Sequence, residues 1–157
     1  MLMGVSVTAF AQPNTSAAFK QKAFTLVRFL QKKHFQPLQW NDASSALLYD
    51  KWLERLDDEK LFLASSDINQ LAAHKTKLDD ELLGTEWKFF DLSVNLYNHR
   101  LQQVDSIIQA LTAKAFDFSK ADNFNWPYTE YAANEQEIGQ RWLRFLKWRI
   151  LDEIADE

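Results

Sequence analysis

The stretch from His34 to Leu71 constrains the fold most, because it alternates residues that end helices with residues that start them. Pro37 ends the first predicted helix, since the residue before a proline avoids the α region. Asn41 or Asp42 can then cap a second helix, and Ser66 can cap a third. These signals predict short connections and well-defined helix ends on both sides of the stretch.

The composition favours one mainly helical domain. A chain of 157 residues with 46% hydrophobic and 25% charged residues can form a hydrophobic core. Only three glycines and three prolines are present, which disfavours a turn-rich all-β fold. The absence of cysteine excludes disulfides, thiolate nucleophiles and cysteine zinc sites. The net charge of −4 disfavours nucleic acid as a partner.

The hydrophobic pattern predicts an all-α fold, an irregular bundle of about five helices with a long central helix at about residues 85–114. Other helices are expected at residues 17–33, 42–56 and 66–84, and from Asn134, which with Glu137 forms a variant of the capping box. The central helix has an apolar stripe: Phe90, Val94, Tyr97, Leu101, Val104, Ile108 and Leu111. The first helix has a shorter stripe: Phe19, Ala23, Leu26, Val27 and Leu30. Gly84 is expected to end the third helix, and residues 115–133 to form an ordered loop with a brief extended piece.

The N-terminal residues have the features of a signal peptide. Residues 2–11 are apolar or small and uncharged, and Ala9-Phe10-Ala11 fits a signal-peptidase site with cleavage before Gln12. No lysine or arginine precedes this segment, so we interpret residues 1–11 as a signal-peptide remnant and residues 12–157 as the helical domain; an N-terminal strand or tail is the alternative. Export implies the periplasm or cell envelope of a bacterium. No segment reaches the roughly 20 apolar residues of a membrane-spanning helix.

Residue types that bind metals occur without the spacing of a known site. The histidines His34, His74 and His99 are not part of a Glu-x-x-His or His-Glu-x-x-His motif, so we expect surface or hydrogen-bonded side chains. The acidic runs 57–59 and 79–81 lack the ligand pattern of a calcium loop. We interpret the first run as a solvated turn and the second as an acidic patch on a helix.

The serines that could act as nucleophiles lie where helix caps are expected: Ser44, Ser45, Ser65 and Ser66. No Gly-x-Ser-x-Gly motif and no glycine-rich phosphate loop is present. Capping is therefore the preferred interpretation, and no catalytic, metal-binding or cofactor-binding residue is predicted.

The last helix carries the predicted docking surface. Its candidate residues combine cations with large rings: Arg141, Trp142, Arg144, Phe145 and Trp148. Apolar side chains cover most of the circumference of this helix, which is typical of a helix packed between two surfaces. Binding to a membrane surface is an alternative, but the basic residues do not gather on one face. We therefore expect a protein or a neighbouring domain as the partner.

The middle of the chain resembles the N-terminal domain of tail-specific proteases, also called carboxy-terminal processing proteases. The landmarks follow the order seen in that family: His34-Phe35-Gln36-Pro37, Asn41-Asp42, Ser45, Trp52-Leu53-Glu54-Arg55-Leu56-Asp57, Phe62-Leu63 and Ser66-Asp67-Ile68. Later landmarks are Leu78-Asp79-Asp80, Leu96-Tyr97 with Arg100, and Phe116-Asp117-Phe118. The resemblance runs from about Phe19 to Leu151. It departs from the family at Asn41, where an aspartate is expected, and at Trp52, where a tyrosine is expected.

The resemblance implies an accessory part of a protease. Family members continue into a PDZ domain and a protease domain with a serine–lysine dyad, and they cut proteins, often periplasmic ones, near the C-terminus. None of the landmarks above is catalytic, so no catalytic residue is carried over to this chain. The implied function is a non-catalytic helical domain that docks on the PDZ and protease parts and helps to recruit substrate proteins or an adaptor. A stand-alone binding or scaffold protein of the cell envelope and an unrelated bundle with a ligand pocket among its aromatic residues are the alternatives.

Overall fold

A computed structural model describes residues 15–35, 39–84, 86–120 and 124–155. These residues form six helices and no strand: α1 (Thr15–Lys33), α2 (Asp42–Leu56), α3 (Ser65–Ala72), α4 (Leu78–Leu83), α5 (Lys88–Thr112) and α6 (Glu135–Ala155). The predicted all-α fold is confirmed. The chain divides into two compact units, Met1–Gln39 and Trp40–Glu157. The predicted signal peptide and the helix stop at Pro37 lie outside the described residues.

The first unit contains one described helix, α1. Val27 is buried, whereas Phe19 and Leu26 are exposed. The predicted helix is present, and two members of its apolar stripe, Phe19 and Leu26, lie on its exposed side.

Helix α2 begins at the cap predicted for it. The Asn41 side-chain oxygen accepts hydrogen bonds from the backbone N–H groups of Ala43 and Ser44, both at 3.1 Å. In return, the Ser44 hydroxyl accepts one from the Asn41 N–H at 2.8 Å. Asn41, rather than Asp42, is thus the N-cap, and Ser44 completes a capping box.

The third predicted helix is two helices, α3 and α4. Between them the backbone hydrogen bonds join residues three positions apart instead of four; for example, the His74 N–H donates to the Leu71 carbonyl at 3.0 Å. The buried Ser45 hydroxyl of α2 then accepts the Asp79 N–H at 2.9 Å in the first turn of α4. Apolar spacing did not reveal the break, because Leu71 and Leu78 are separated by about two helical turns.

The predicted cap of α3 at Ser66 is wrong. Helix α3 begins one residue earlier, at Ser65, and its N-cap residue is Ala64. Alanine offers no side-chain acceptor to the first turn, and the capping bond that is present is the reverse one, in which the Asp67 carboxylate accepts the Ala64 N–H at 2.8 Å. The prediction for Gly84 is confirmed, since α4 ends at the residue before it.

Two hydrophobic cores hold the second unit together. The first contains buried residues of α2 to α5 and of the turn before α3: Tyr49, Leu53, Leu63, Leu71, Leu78 and Phe89. The second joins α5 and α6 to the loop between them and to the segment before α3: Leu61, Ala64, Val104, Ala132, Ile138 and Trp142. Ala132 also forms a parallel bridge with Ala64, which confirms an ordered loop with a brief extended piece in its described part.

Helix α5 is the longest described helix, with 25 residues, and its predicted stripe contributes to both cores. Val104 is buried, whereas Leu101 at the edge of the stripe is exposed. Ser93 is fully buried on the same helix, where its hydroxyl accepts the Trp52 Nε1–H at 3.0 Å. A buried serine does not stand out in an apolar period, because its side chain is polar. None of the described helices has the length and hydrophobicity needed to cross a membrane.

Candidate functional site

A turn at residues 57–63 connects the two cores. The Asp57 side chain is only 4% exposed. Its carboxylate accepts the backbone N–H groups of Leu61 at 2.9 Å, Phe62 at 3.2 Å and Leu63 at 2.7 Å. Leu61 belongs to the second core and Leu63 to the first. One carboxylate therefore fixes the segment that inserts a leucine into each core.

The prediction of a solvated acidic turn is wrong for Asp57 and holds for Asp58 and Glu59, which are exposed. Burial raises the pKa of Asp57 above its usual value. The hydrogen bonds that its carboxylate accepts from backbone N–H groups lower the pKa and offset part of this rise. Backbone donors have replaced water around this carboxylate. Its role is structural, as expected for a turn-forming residue.

Helix α6 begins with the predicted Asn134–Glu137 cap. The Asn134 side-chain oxygen accepts the Glu137 N–H at 3.0 Å, and the Glu137 carboxylate accepts the Ala133 N–H at 2.8 Å. The Ala133 N–H, and after it the Arg141 side chain, lowers the pKa of Glu137. Glu137 is therefore held in its charged form, beside the cation that follows it by one helical turn.

Arg141 is an internal anchor of α6. It is 4% exposed, and its guanidinium bonds the Glu137 carboxylate at 2.6 Å. The same group donates to the backbone carbonyls of Lys60 at 3.0 Å and Glu130 at 2.7 Å. It also lies 4.2 Å from the centre of the Tyr128 ring. Arg141 thus fastens α6 to the turn at residues 57–63 and to the preceding loop.

Trp142 has the same anchoring role. It is 9% exposed, and its indole N–H donates to the Leu61 carbonyl at 2.9 Å. Its ring contacts Phe62 and Phe145, with centroid distances of 5.4 Å and 5.5 Å. The large apolar surface and the satisfied N–H are typical of a buried tryptophan.

Phe145 and Trp148 belong to an aromatic cluster between α6 and the loop. The Phe145 ring lies 5.2 Å from that of Trp126, and the Trp148 ring stacks on Phe124 at 5.5 Å. Both side chains are half-buried, and so is Arg144.

The structure therefore divides the predicted docking surface. Arg141 and Trp142 are buried with partners inside their own unit, and these contacts do not test their predicted role in docking. The hydrophobic periodicity places both residues on the helix, but it does not show the backbone carbonyls that accept their hydrogen bonds. Arg144, Phe145 and Trp148 are partly accessible, and their role in docking stays a prediction.

The catalytic residue types have structural partners. His74 Nδ1 lies 2.9 Å from the Glu81 carboxylate, which also accepts the Phe89 N–H at 2.8 Å. The Ser45 hydroxyl donates to the Asp79 carboxylate. In the described part of the chain, Ser45 makes no hydrogen bond to a histidine and no group of three metal-ligating side chains comes together. His74 is a hydrogen-bonded histidine, as predicted, whereas Asp79 and Glu81 are partly buried rather than members of a surface patch.

An internal ion pair between α3 and α5 was missed in the sequence. The Arg100 Nε–H and one terminal N–H donate to the Asp67 carboxylate at 2.8 Å and 3.0 Å. Asp67 is buried, and Arg100 is only 13% exposed. The family landmarks contain both residues, but they are 33 positions apart and local patterns do not pair them.

A cleft of about 460 Å³ lies between α2, α3 and Tyr131. Its cations are already engaged: the Lys75 amine bonds the Asp50 carboxylate at 2.8 Å and lies 5.3 Å from the Tyr49 ring centre. The Lys60 amine lies 5.7 Å from the Tyr131 ring centre. These contacts satisfy the charged groups within the unit and leave little to select a ligand.

The family comparison covers the second unit completely. A family model described as the tail specific protease N-terminal domain matches residues 26–157. The matched range includes the turn at residues 57–63, the Asp67–Arg100 pair and all of α6.

Proposed function

Because the chain belongs to the family of tail-specific protease N-terminal domains, we propose that it is a non-catalytic domain that docks on the PDZ and protease parts of such an enzyme. In this proposal it also helps to recruit substrate proteins or an adaptor. The serine–lysine dyad would belong to the protease part.

The outer half of α6 supports docking. Leu151 and Ile154 are 52% and 63% exposed, although both are large apolar residues. Trp148, which is half-buried, Leu151 and Ile154 follow one another at three-residue spacing. Residues three positions apart lie next to each other on the surface of a helix. An apolar patch next to a tryptophan is the usual core of a protein–protein interface. We call Trp148, Leu151 and Ile154 the α6 patch.

The experiment measures binding of this chain to a separately produced polypeptide that contains the PDZ and protease parts of a tail-specific protease from the same organism. Isothermal titration calorimetry gives the Kd for the wild type and for the double variant Leu151→Asp, Ile154→Asp. Placing two carboxylates in an apolar interface should raise the Kd at least about tenfold. Leu47→Asp is the matched control, since Leu47 is 62% exposed on α2.

Two results would contradict this proposal. One is an unchanged Kd for the α6 patch variant. The other is no binding by the wild type, which would instead favour the stand-alone binding or scaffold function. Cleavage of a reporter protein by this chain alone would overturn the non-catalytic assignment.

The proposal also places the domain in the bacterial periplasm. Its support is the apolar segment 2–11 with the small–x–small site before Gln12. Mass spectrometry of the periplasmic fraction of expressing cells should find a mature N-terminus at Gln12. A chain that stays in the cytoplasm with Met1 retained would contradict it.

A further inference from the structure

A cavity of about 470 Å³ lies beside α6, on the side of the loop that precedes the helix. The loop contributes Asn125, Tyr128, Thr129 and Glu130, and the helix contributes Arg141 and Arg144. The Leu151 and Ile154 side chains do not line this cavity. It is therefore separate from the exposed end of the α6 patch.

The two arginines of the cavity differ in their bonding. Arg141 is neutralised by Glu137 and donates to two carbonyls. Arg144 is half-buried, and within the described ranges its guanidinium is in no hydrogen bond or ion pair at bonding distance, although its charge helps to lower the pKa of Glu137. A guanidinium has five donors and is always charged, so a partly desolvated one without an acceptor favours an incoming anion.

Tyr128 gives an independent indication. Its hydroxyl is buried and has no hydrogen-bond partner in the described structure. An unpaired buried hydroxyl is costly, and such groups usually mark a missing ligand or water. The Tyr128 ring is held against Arg141, so this side chain is fixed at the wall of the cavity.

We propose that this cavity binds a carboxylate of a partner protein, with Arg144 as the main donor and Tyr128 as the second. Guanidinium and carboxylate match in a planar, two-bond geometry. Glu130 lies exposed on the rim, and its negative charge repels a dianion more than a monoanion. A carboxylate therefore fits better than a phosphate. The carboxylate can come from a chain terminus or from an acidic side chain, and the site does not depend on the proposed docking.

The test uses the whole chain, labelled with ¹⁵N, and three unlabelled peptides of glycine, serine and alanine. The first peptide has a free C-terminal carboxylate, the second is its C-terminal amide, and the third is the amide with one alanine replaced by glutamate. NMR follows the Nε–Hε signals of Arg144 and of Arg149, an exposed arginine of the same helix that pairs with Asp152. The expected result is a saturable shift of Arg144 with the first or third peptide, no shift with the neutral amide, and no shift of Arg149.

Variants test the donors. Arg144→Gln should weaken binding of the carboxylate peptide at least about tenfold, while Arg149→Gln should leave it unchanged. Tyr128→Phe should weaken it by a smaller factor, because one donor of several is lost. If Arg144→Gln fails to fold, as judged by circular dichroism, the wild-type signals alone decide between the outcomes.

The peptides also separate the two sources: binding of the first alone identifies a chain terminus, and binding of the third identifies an acidic side chain. Three outcomes overturn the proposal. These are equal shifts with the neutral amide, equal shifts of Arg144 and Arg149, and inorganic phosphate that binds more tightly than either carboxylate peptide.

Discussion

Replacing Asp57 by alanine tests whether one buried carboxylate holds the two cores together. The substitution removes the acceptor for three backbone N–H groups in the turn that inserts Leu61 and Leu63. Asp57→Asn is the milder change, because its amide keeps one oxygen. Asp58→Ala is the matched control, since Asp58 is the exposed neighbour.

The magnitude follows from the donors that lose their partner. The N–H groups of Leu61 and Leu63 are buried, and each costs about 1–3 kcal/mol when left unsatisfied. Removing the charge offsets part of this sum, because burial disfavours the ionised form and raises the pKa of Asp57. We expect a net loss of about 2–4 kcal/mol for Asp57→Ala. In Asp57→Asn the amide nitrogen faces either the Leu61 N–H or the Leu63 N–H, because these two donors bond different carboxylate oxygens, and the loss should be about 1–3 kcal/mol.

Urea unfolding followed by circular dichroism measures these losses. With an m-value of about 1–3 kcal/mol/M, Asp57→Ala should move the midpoint down by roughly 1 M or more, while Asp58→Ala should stay within about 0.5 kcal/mol of the wild type. Equal midpoints for the two alanine variants would refute the reasoning. They would mean that the N–H groups of the turn obtain other acceptors at no cost.

Three further predictions concern stability. Arg100→Met should lower the free energy of unfolding, measured in urea, by about 3–5 kcal/mol, because it leaves the buried Asp67 carboxylate without its cation. The double variant with Asp67→Asn should recover part of this free energy. No recovery would contradict the pairing. Burial raises the pKa of Tyr131 from 10.0 to about 12, so the folded state keeps the phenol proton more tightly. The resulting stability is complete below about pH 10 and falls as the pH rises towards 12. Burial also raises the pKa of Tyr49 and Tyr97, so phenolate absorbance should show several late-ionising tyrosines, and Tyr131→Phe should remove the titration near pH 12. Ionisation of every tyrosine near pH 10 in the folded chain would count against it. Gly139→Ala should stabilise α6 by about 0.5–1 kcal/mol, since the nearest side-chain carbon would be 3.8 Å from the new Cβ. Gly84→Ala should destabilise the fold, because a backbone oxygen would lie only 2.9 Å from the new Cβ. Thermal unfolding measures both, and a stabilising Gly84→Ala would contradict the geometry.

Helix ends could be predicted where the capping residue acts on its own helix. Asn41 with Ser44, and Asn134 with Glu137, need only neighbours three positions away. The partners of these caps are fixed by the helical geometry itself. Sequence patterns therefore contain the information, and the starts of α2 and α6 agree with it.

Features that depend on residues far apart in the chain could not be predicted. The start of α4 uses Ser45, which is 34 positions before its partner Asp79. Arg100 reaches Asp67 across a separation of 33 positions. A local pattern shows that each side chain is polar but not which partner will cover it. Asp57 was expected in water for a different reason: its donors lie only four to six positions away, but no regular helical geometry fixes the turn that brings them to the carboxylate.

The same limit explains the candidate site. Arg141 and Arg144 are three positions apart on one helix, and periodicity treats them alike. They differ because Glu137 and the carbonyls of Lys60 and Glu130 form hydrogen bonds with Arg141, whereas Arg144 acts on Glu137 only through its charge. Only the tertiary structure shows that one arginine is satisfied and that the other has donors to offer.

Helix α6 has two halves that differ in their contacts. The inner half carries Arg141 and Trp142, whose bonds hold the helix to the turn that joins the cores. A substitution there should lower stability and partner binding together, so it cannot isolate a docking function. The outer half exposes Leu151 and Ile154, and polar replacements there remove no internal hydrogen bond. Those replacements should change binding while leaving the unfolding midpoint within about 0.5 kcal/mol of the wild type. A loss of binding at the outer half without a loss of stability is therefore the result that would separate a docking surface from a merely structural helix end.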